Sequence, residues 1–299
     1  MKSVLKTPAT PSIPQVKSRS NLMQSKAFRS LIYWLILSPI VILTLFPYAV
    51  MITTALKPPT EVYSNPPTWF GSHLEWGNFA KVWAQGFGQN MLNSIWVTLA
   101  ATFLALLVSF PAAYSLSRFN HSRRFTGFFR QFLLVTQMVS PIIITVGIFK
   151  VIASLKLIDS FTPLILIYAT FNIAFCTWML QSYFNTIPGE LEEAAWIDGC
   201  SRFQSFTTIF LPLALPATAI AALFSFIYCW NEFVLAFLVL RTPEHATITM
   251  RVFSLVGGRY TVEWEQVMAA AVLATIPMVL MFVFLQRQII RGLAMGSIK

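Results

Sequence analysis

Asn185-Thr186-Ile187-Pro188-Gly189-Glu190-Leu191-Glu192-Glu193-Ala194-Ala195-Trp196-Ile197-Asp198-Gly199-Cys200-Ser201-Arg202-Phe203-Gln204-Ser205-Phe206-Thr207-Thr208-Ile209-Phe210-Leu211-Pro212 separates two long apolar stretches. It has too much helix chemistry for a plain connector. Pro188 suits a first helical turn, and the glutamates after it sit where a helix N-terminus favours negative charge. Gly199 is placed as a C-terminal stop able to take positive φ. Ser201 with Gln204 three residues on forms a capping box that starts a second helix. Phe203, Phe206 and Phe210 are then expected on one face. The segment reads as a helix–Gly–helix elbow, acidic on one arm and aromatic on the other. Such a knob suits docking into another protein. An interfacial helix on lipid fits the acids poorly, because inner-leaflet headgroups are themselves anionic.

Outward from the elbow, the chain is dominated by apolar runs. Six are expected to span a membrane: 31–56, 91–116, 131–153, 163–183, 209–240 and 266–286. Each reaches the ~20 residues that a helix needs to cross the hydrocarbon core. None alternates as a lipid-facing barrel strand does. Pro39, Pro47, Pro111, Pro141, Pro216 and Pro277 are expected to kink them. The composition agrees: 56% of the 299 residues are hydrophobic and only 11% charged, against about 25% charged in soluble domains. The reading is an all-α polytopic membrane protein, which excludes a soluble enzyme and a disordered chain.

The net charge of +10 is a topology signal and no sign of nucleic acid. Residues 1–30 hold six basic residues and no acid, the stretch after the second span holds Arg118, Arg123, Arg124 and Arg130, and the C-terminal segment adds Arg287, Arg291 and Lys299. With Arg202, 14 of the 21 basic residues fall on one side, which makes that side cytoplasmic. Both termini are therefore expected inside. Residues 1–30 read as a disordered basic arm before an uncleaved anchor, 31–286 as the six-span domain, and 287–299 as a cytoplasmic tail. Cys176, Cys200 and Cys229 contain no Cys-x-x-Cys pair, and the three histidines are scattered, so neither a disulfide framework nor a metal site is expected. The chain has no Gly-Lys dipeptide and hence no phosphate-binding loop of that type.

Glu193-Ala194-Ala195-x-x-Asp198-Gly199, followed after nine residues by Ile209-x-Leu211-Pro212, resembles the EAA loop of binding-protein-dependent ABC importer permeases. Ile187-Pro188-x-Glu190-Leu191-Glu192 and the closing Gln286-Arg287-x-x-Ile290-Arg291-Gly292-Leu293-x-x-Gly296 resemble the maltose-type carbohydrate branch, specifically its six-span partner without a large periplasmic insertion. The resemblance covers about nine-tenths of the chain; Cys200 departs from it, standing where the family usually has Ala. It implies a non-catalytic permease in a bacterial or archaeal cytoplasmic membrane. The implied partners are a second permease, two ATPase subunits that bind ATP and Mg, and an extracytoplasmic solute-binding protein. No cofactor is expected on this chain. By motif match Glu193 and Asp198 become polar contacts with the ATPase, Gly199 the elbow, and Ala194 and Ala195 a close-packed face. Phe203, Ile209, Leu211 and Pro212 belong to the same joint, and Arg291, Gly292 and Gly296 to a secondary contact. The implied cargo is a di- or oligosaccharide or related glycoside; glycerol phosphate or a polyol is the alternative.

Polar residues inside spans are costly and draw functional attention. Trp230-Asn231-Glu232 leads: either the group lines a pathway, with Trp230 stacking on a sugar ring, or Glu232 is hydrated at the outer interface or pairs with a helix end. Asn172 and Gln137 are weaker pathway candidates, since such side chains also glue helices together. The 25-residue connector 241–265 carries Gly257-Gly258-Arg259-Tyr260. In the resembling family the equivalent loop reaches towards the binding protein; a plain surface turn is the other reading. A secondary transporter would show paired inverted halves with coupling-ion carboxylates, and a membrane enzyme a clustered acid–base constellation. The sequence shows neither clearly.

Overall fold

The computed structural model describes residues 26–119, 123–257 and 262–296. The basic arm therefore lies outside the described residues up to position 25, as do Gly258, Arg259 and Tyr260 of the outer loop. The described residues are helical and turn-forming, with no strand among them. In order they form α1 (Lys26–Ala55), α2 (Pro59–Val62), α3 (Gly77–Val82), a π turn (Trp83–Phe87), α4 (Gly88–Arg118), α5 (Arg123–Met138), α6 (Pro141–Ser154), α7 (Phe161–Phe184), α8 (Glu190–Ile197), α9 (Arg202–Ser205), a second π turn (Phe206–Phe210), α10 (Leu211–Leu213), α11 (Leu215–Asn231), α12 (Val234–Val239), α13 (Ile248–Val256) and α14 (Trp264–Gly296). Two compact units result, Met1–Val50 and Met51–Lys299. In the first, the described chain is one apolar helix with Pro39 and Pro47 inside it.

Among the described residues, four helices are long and apolar enough to cross a membrane, or up to six if each of two bent pairs is one span. The two bends fall just before Pro141 and Pro216, where kinks are expected. The third apolar stretch turns by 89° between α5 and α6. Ser140 is extended (ψ 130°) and Pro141 opens α6, since the residue before a proline is pushed out of the α region. Pro141 thus starts the second helix of the pair, and the bend falls immediately before it. Pro216 likewise lies in the first turn of α11. The fifth stretch is broken twice, by a 70° bend before α11 and again at Glu232–Phe233.

The second unit is held by close helix contact. Between helices in lipid there is little hydrophobic drive, so tight packing of small residues has to hold them. The α4–α7 pair is the most extensive contact. Ala101, Ala105, Ser109 and Ala113 recur every fourth residue on α4, all at 0% exposure, and Ser109 Oγ donates to the Ile173 carbonyl at 3.0 Å. One core cluster joins Phe110 and Tyr114 to Leu180, Phe184, Phe210 and Ala214 at the elbow end. Another joins Ala55, Phe87, Phe226 and Trp230 to Ile248, Leu255 and Ala270.

The connector 241–265 has less spare chain than its length implies, because it contains α13, with Ile248 and Leu255 buried. Asn90 and Asn93 of α4 donate to the carbonyls of Pro243, Glu244 and Ala246. Ser94 Oγ accepts from the Ile248 N–H at 2.7 Å. Asp159 pins the same segment: its carboxylate accepts from the Arg241 and Thr242 N–H groups and from the Thr242 hydroxyl. Burial works against the charge on Asp159, but these donors and the His245 ring outweigh it and hold its pKa down to about 2.

Candidate functional site

The elbow forms where its local chemistry requires. α8 begins at Glu190, with Glu190, Glu192 and Glu193 in its first turn; Pro188 falls just before the helix. Its last turn closes through Gly199. The Cys200 N–H reaches the Ala195 carbonyl (2.9 Å) and the Gly199 N–H the Trp196 carbonyl (3.1 Å), a paired closure that needs a left-handed residue. Gly199 supplies it at φ +85°. The Ser201–Gln204 capping box is present in both directions, at 3.2 and 2.8 Å. The Arg202 guanidinium of α9 lies 5.6 Å from the rings of both Trp196 and Phe119, and so meets α8 and the end of α4.

The three phenylalanines do not share a face. α9 stops at Ser205 and a π turn follows. Phe206 and Phe210 pack edge-on against Tyr114 at 4.9 and 5.0 Å, whereas Phe203 projects outward, 73% exposed. Ala195 is buried and Ala194 is exposed, as are Glu193, Asp198, Leu211 and Pro212; Ile209 is half-buried. Ile197, at 86% exposure, joins Phe203 as a second bare apolar group on the elbow.

Glu192, for which the motif match implies no contact with the ATPase, is the acid that the fold uses. It is 3% exposed, accepts the Tyr114 hydroxyl at 2.5 Å and pairs with Arg118 Nε at 3.3 Å. The signal available in the sequence was its position three residues before Ala195, which places both on one helix face.

Glu232 is committed within the chain. Its carboxylate accepts from the N–H groups of Leu235 (2.9 Å) and Ala236 (3.1 Å) and from the Tyr168 hydroxyl (2.7 Å). It therefore caps the N-terminus of α12, the helix-end reading of this residue. A carboxylate in a span costs about 2.5–3.5 kcal/mol, and hydrogen bonds to a charged group return about 1.5–3 kcal/mol each. Three such donors offset the cost. Trp230 is 3% exposed and stacks on Phe226 at 5.6 Å. Asn231 is exposed and donates to the Ile227 carbonyl. Glu232→Ala orphans two amides and a hydroxyl, at roughly 1–3 kcal/mol apiece. It is expected to lower the melting temperature of the purified chain clearly, with Glu232→Gln intermediate; an unchanged melting curve for the Ala variant would refute the capping role.

Asn172 and Gln137, far apart in sequence, meet at one cleft. It has a volume of about 400 Å³ and lies between the α5–α6 bend, α7 and α11, lined also by Phe171, Phe175, Phe224 and Tyr228. Gln137 Nε2 donates to the Phe171 carbonyl and Asn172 Nδ2 to that of Tyr168. Gly257 ends α13 at φ −78°. Arg291, Gly292 and Gly296 lie in α14, which runs unbroken from Trp264 to Gly296, so most of the C-terminal tail continues the last long helix. No group of three or more His, Cys, Asp or Glu able to hold a metal occurs among the described residues.

Residues 105–295, from the second half of α4 through the elbow to α14, match the family model described as binding-protein-dependent transport system inner membrane component. The chain belongs to that family. It is 32% identical over 270 residues to the probable ABC transporter permease protein YurM of Bacillus subtilis, covering 89% of this chain and 87% of the relative. It is 33% identical over 261 residues to the trehalose/maltose transport system permease protein MalG of Thermococcus litoralis, covering 86% and 92%. A crystal structure of a bacterial ABC transporter involved in the import of the acidic polysaccharide alginate contains a chain of the same fold, with TM-score 0.71, 22% identity, and coverage of 88% of this chain and 98% of that one. This permease is accordingly a multi-pass inner-membrane transport component.

Proposed function

We propose that this permease forms half of the translocation path of an ATP-driven carbohydrate importer, and that the elbow 185–212 is the joint through which separate ATPase subunits drive it. The observation that carries the joint is the elbow's outer surface: Ile197 and Phe203, 86% and 73% exposed, beside the exposed acids Glu193 and Asp198. Bare aromatic and aliphatic groups among charges, on a short helix pair held in a fixed bend, suit insertion into a cleft on a protein. ATP and Mg belong to the partner subunits. Both termini and the elbow lie on the cytoplasmic side, and a solute-binding protein and a second permease complete the assembly.

The carbohydrate reading rests on the trehalose/maltose name of one relative and on the cleft, where the amides of Gln137 and Asn172 and the Tyr228 hydroxyl sit among phenylalanines. Amide and hydroxyl groups between aromatic faces suit a neutral polyhydroxylated solute, and no Lys or Arg lines that cleft to meet a phosphate. Ile197→Asp with Phe203→Asp is expected to abolish co-purification of the ATPase subunits with the membrane part; retained assembly would overturn the joint. ATPase activity in proteoliposomes with the binding protein is expected to rise with oligosaccharides. A rise with glycerol phosphate alone would overturn the carbohydrate reading.

A further inference from the structure

Arg118 is the last residue of α4, and four separate pieces of chain converge on it. Its Nη2 donates to the Ile187 carbonyl at 2.5 Å and to the Phe184 carbonyl at 3.3 Å, which satisfies the end of α7 and the turn after it. Its Nε pairs with Glu192 of α8 at 3.3 Å. Its guanidinium carbon lies 4.7 Å from the centre of the Phe210 ring, in the π turn that leads to α11. One turn earlier on α4, Tyr114 gives its hydroxyl to Glu192 and its ring to Phe206 and Phe210. The side chains of Arg118 and Glu192 are 15% and 4% exposed, so their attraction is little weakened by water.

The elbow needs such a tie. Its covalent links to the spans are not continuous α-helix: a turn at 185–189 on one side, and on the other a π turn followed by a 70° bend before α11. A push on α8 would bend these before it moved a helix. We propose that Tyr114, Arg118 and Glu192 are a latch that fixes both arms of the elbow to α4, so that a displacement of the elbow reaches the α4–α7–α11 bundle as movement of whole helices. The three are positioning residues, and the inference rests on the reading of the elbow as the ATPase joint. Arg is required where one group must serve two carbonyls and a carboxylate at once, because its fork of donors has fixed geometry and a lysine is a single point charge.

The test is hydrogen exchange on the complete importer in nanodiscs, with and without ATP plus vanadate, following peptides from 190–198 and 108–118. In the unaltered importer both are expected to change with nucleotide. In Glu192→Gln the elbow peptide is expected still to respond, because the docking surface is untouched, while the α4 response is lost; Arg118→Lys is expected to lose it too. Tyr114→Phe keeps the ring packing and the ion pair, so if the charge variants fail to accumulate it still reports, with a smaller loss of the α4 response. An α4 response of full size in these variants overturns the latch. An elbow that ignores nucleotide in the unaltered importer overturns the docking reading itself, and the latch with it.

Discussion

Gly199→Val is expected to leave the chain in the membrane and to abolish transport. Gly199 sits at φ +85° and closes α8 through the paired contacts of Cys200 with Ala195 and of Gly199 with Trp196. Nothing lies within 4 Å of a Cβ built there, so the penalty is conformational and not a clash. Forcing a side chain into the left-handed region costs about 1–3 kcal/mol, and a β-branched residue stands at the upper end because both γ-carbons crowd the backbone. Eight residues of α8 cannot absorb that cost locally. The chain is expected to relax φ, which opens the closure and swings α8 away from α9. The spans do not depend on this turn, so insertion survives. Membrane levels like the unaltered protein, with uptake lost and ATP hydrolysis no longer answering to loaded binding protein, are the expected result; Gly199→Ala should fall between. Normal uptake by the valine variant would show that the bend does not matter.

That turn was legible in the sequence because everything which builds it lies within a dozen residues. Gly199, Ser201 and Gln204 act on backbone groups next to them, and their side-chain chemistry states the outcome. The long apolar helices were legible for a similar reason: length and apolarity are local properties. The breaks were less so. Ser140–Pro141 reads equally as a kink in one helix or as the start of another, and what surrounds the bend decides between them. Phe203 departs from the expected common face because the cluster around Tyr114, built by distant parts of the chain, takes in only Phe206 and Phe210. Glu192 and Glu232 were hidden by distance. Their partners Tyr114 and Tyr168 lie 78 and 64 residues away, and neither tyrosine stands out within a helix already rich in aromatic residues. The connector 241–265 looked long because the sequence does not show that Asn90, Asn93 and Ser94 hold it against α4.

Ala101→Phe is expected to remove most of the folded protein. Ala101 is fully buried in a cluster with Val97, Ile152, Leu164 and Tyr168, on the α4 stripe of small residues that continues through Ala105, Ser109 and Ala113. A benzyl group at this position must separate α4 from α7. Overpacking costs about 1–3 kcal/mol in a soluble core, occasionally more. Here the loss is larger, because packing is what holds the helices together in lipid, and because Tyr168 is also the hydroxyl donor to Glu232. Displacing Tyr168 leaves that carboxylate with only the two α12 amides. A steric change on α4 thus becomes an electrostatic cost at the α11–α12 break. Leu107→Phe, on the exposed face of the same helix at 57% exposure, makes a residue of the same size where there is room, and is expected to be silent. Gel filtration of the solubilised proteins separates the cases: a sharp peak for Leu107→Phe, and aggregated or degraded material for Ala101→Phe. A sharp peak of normal height for Ala101→Phe would mean that α4 and α7 are not held by the close fit of this stripe.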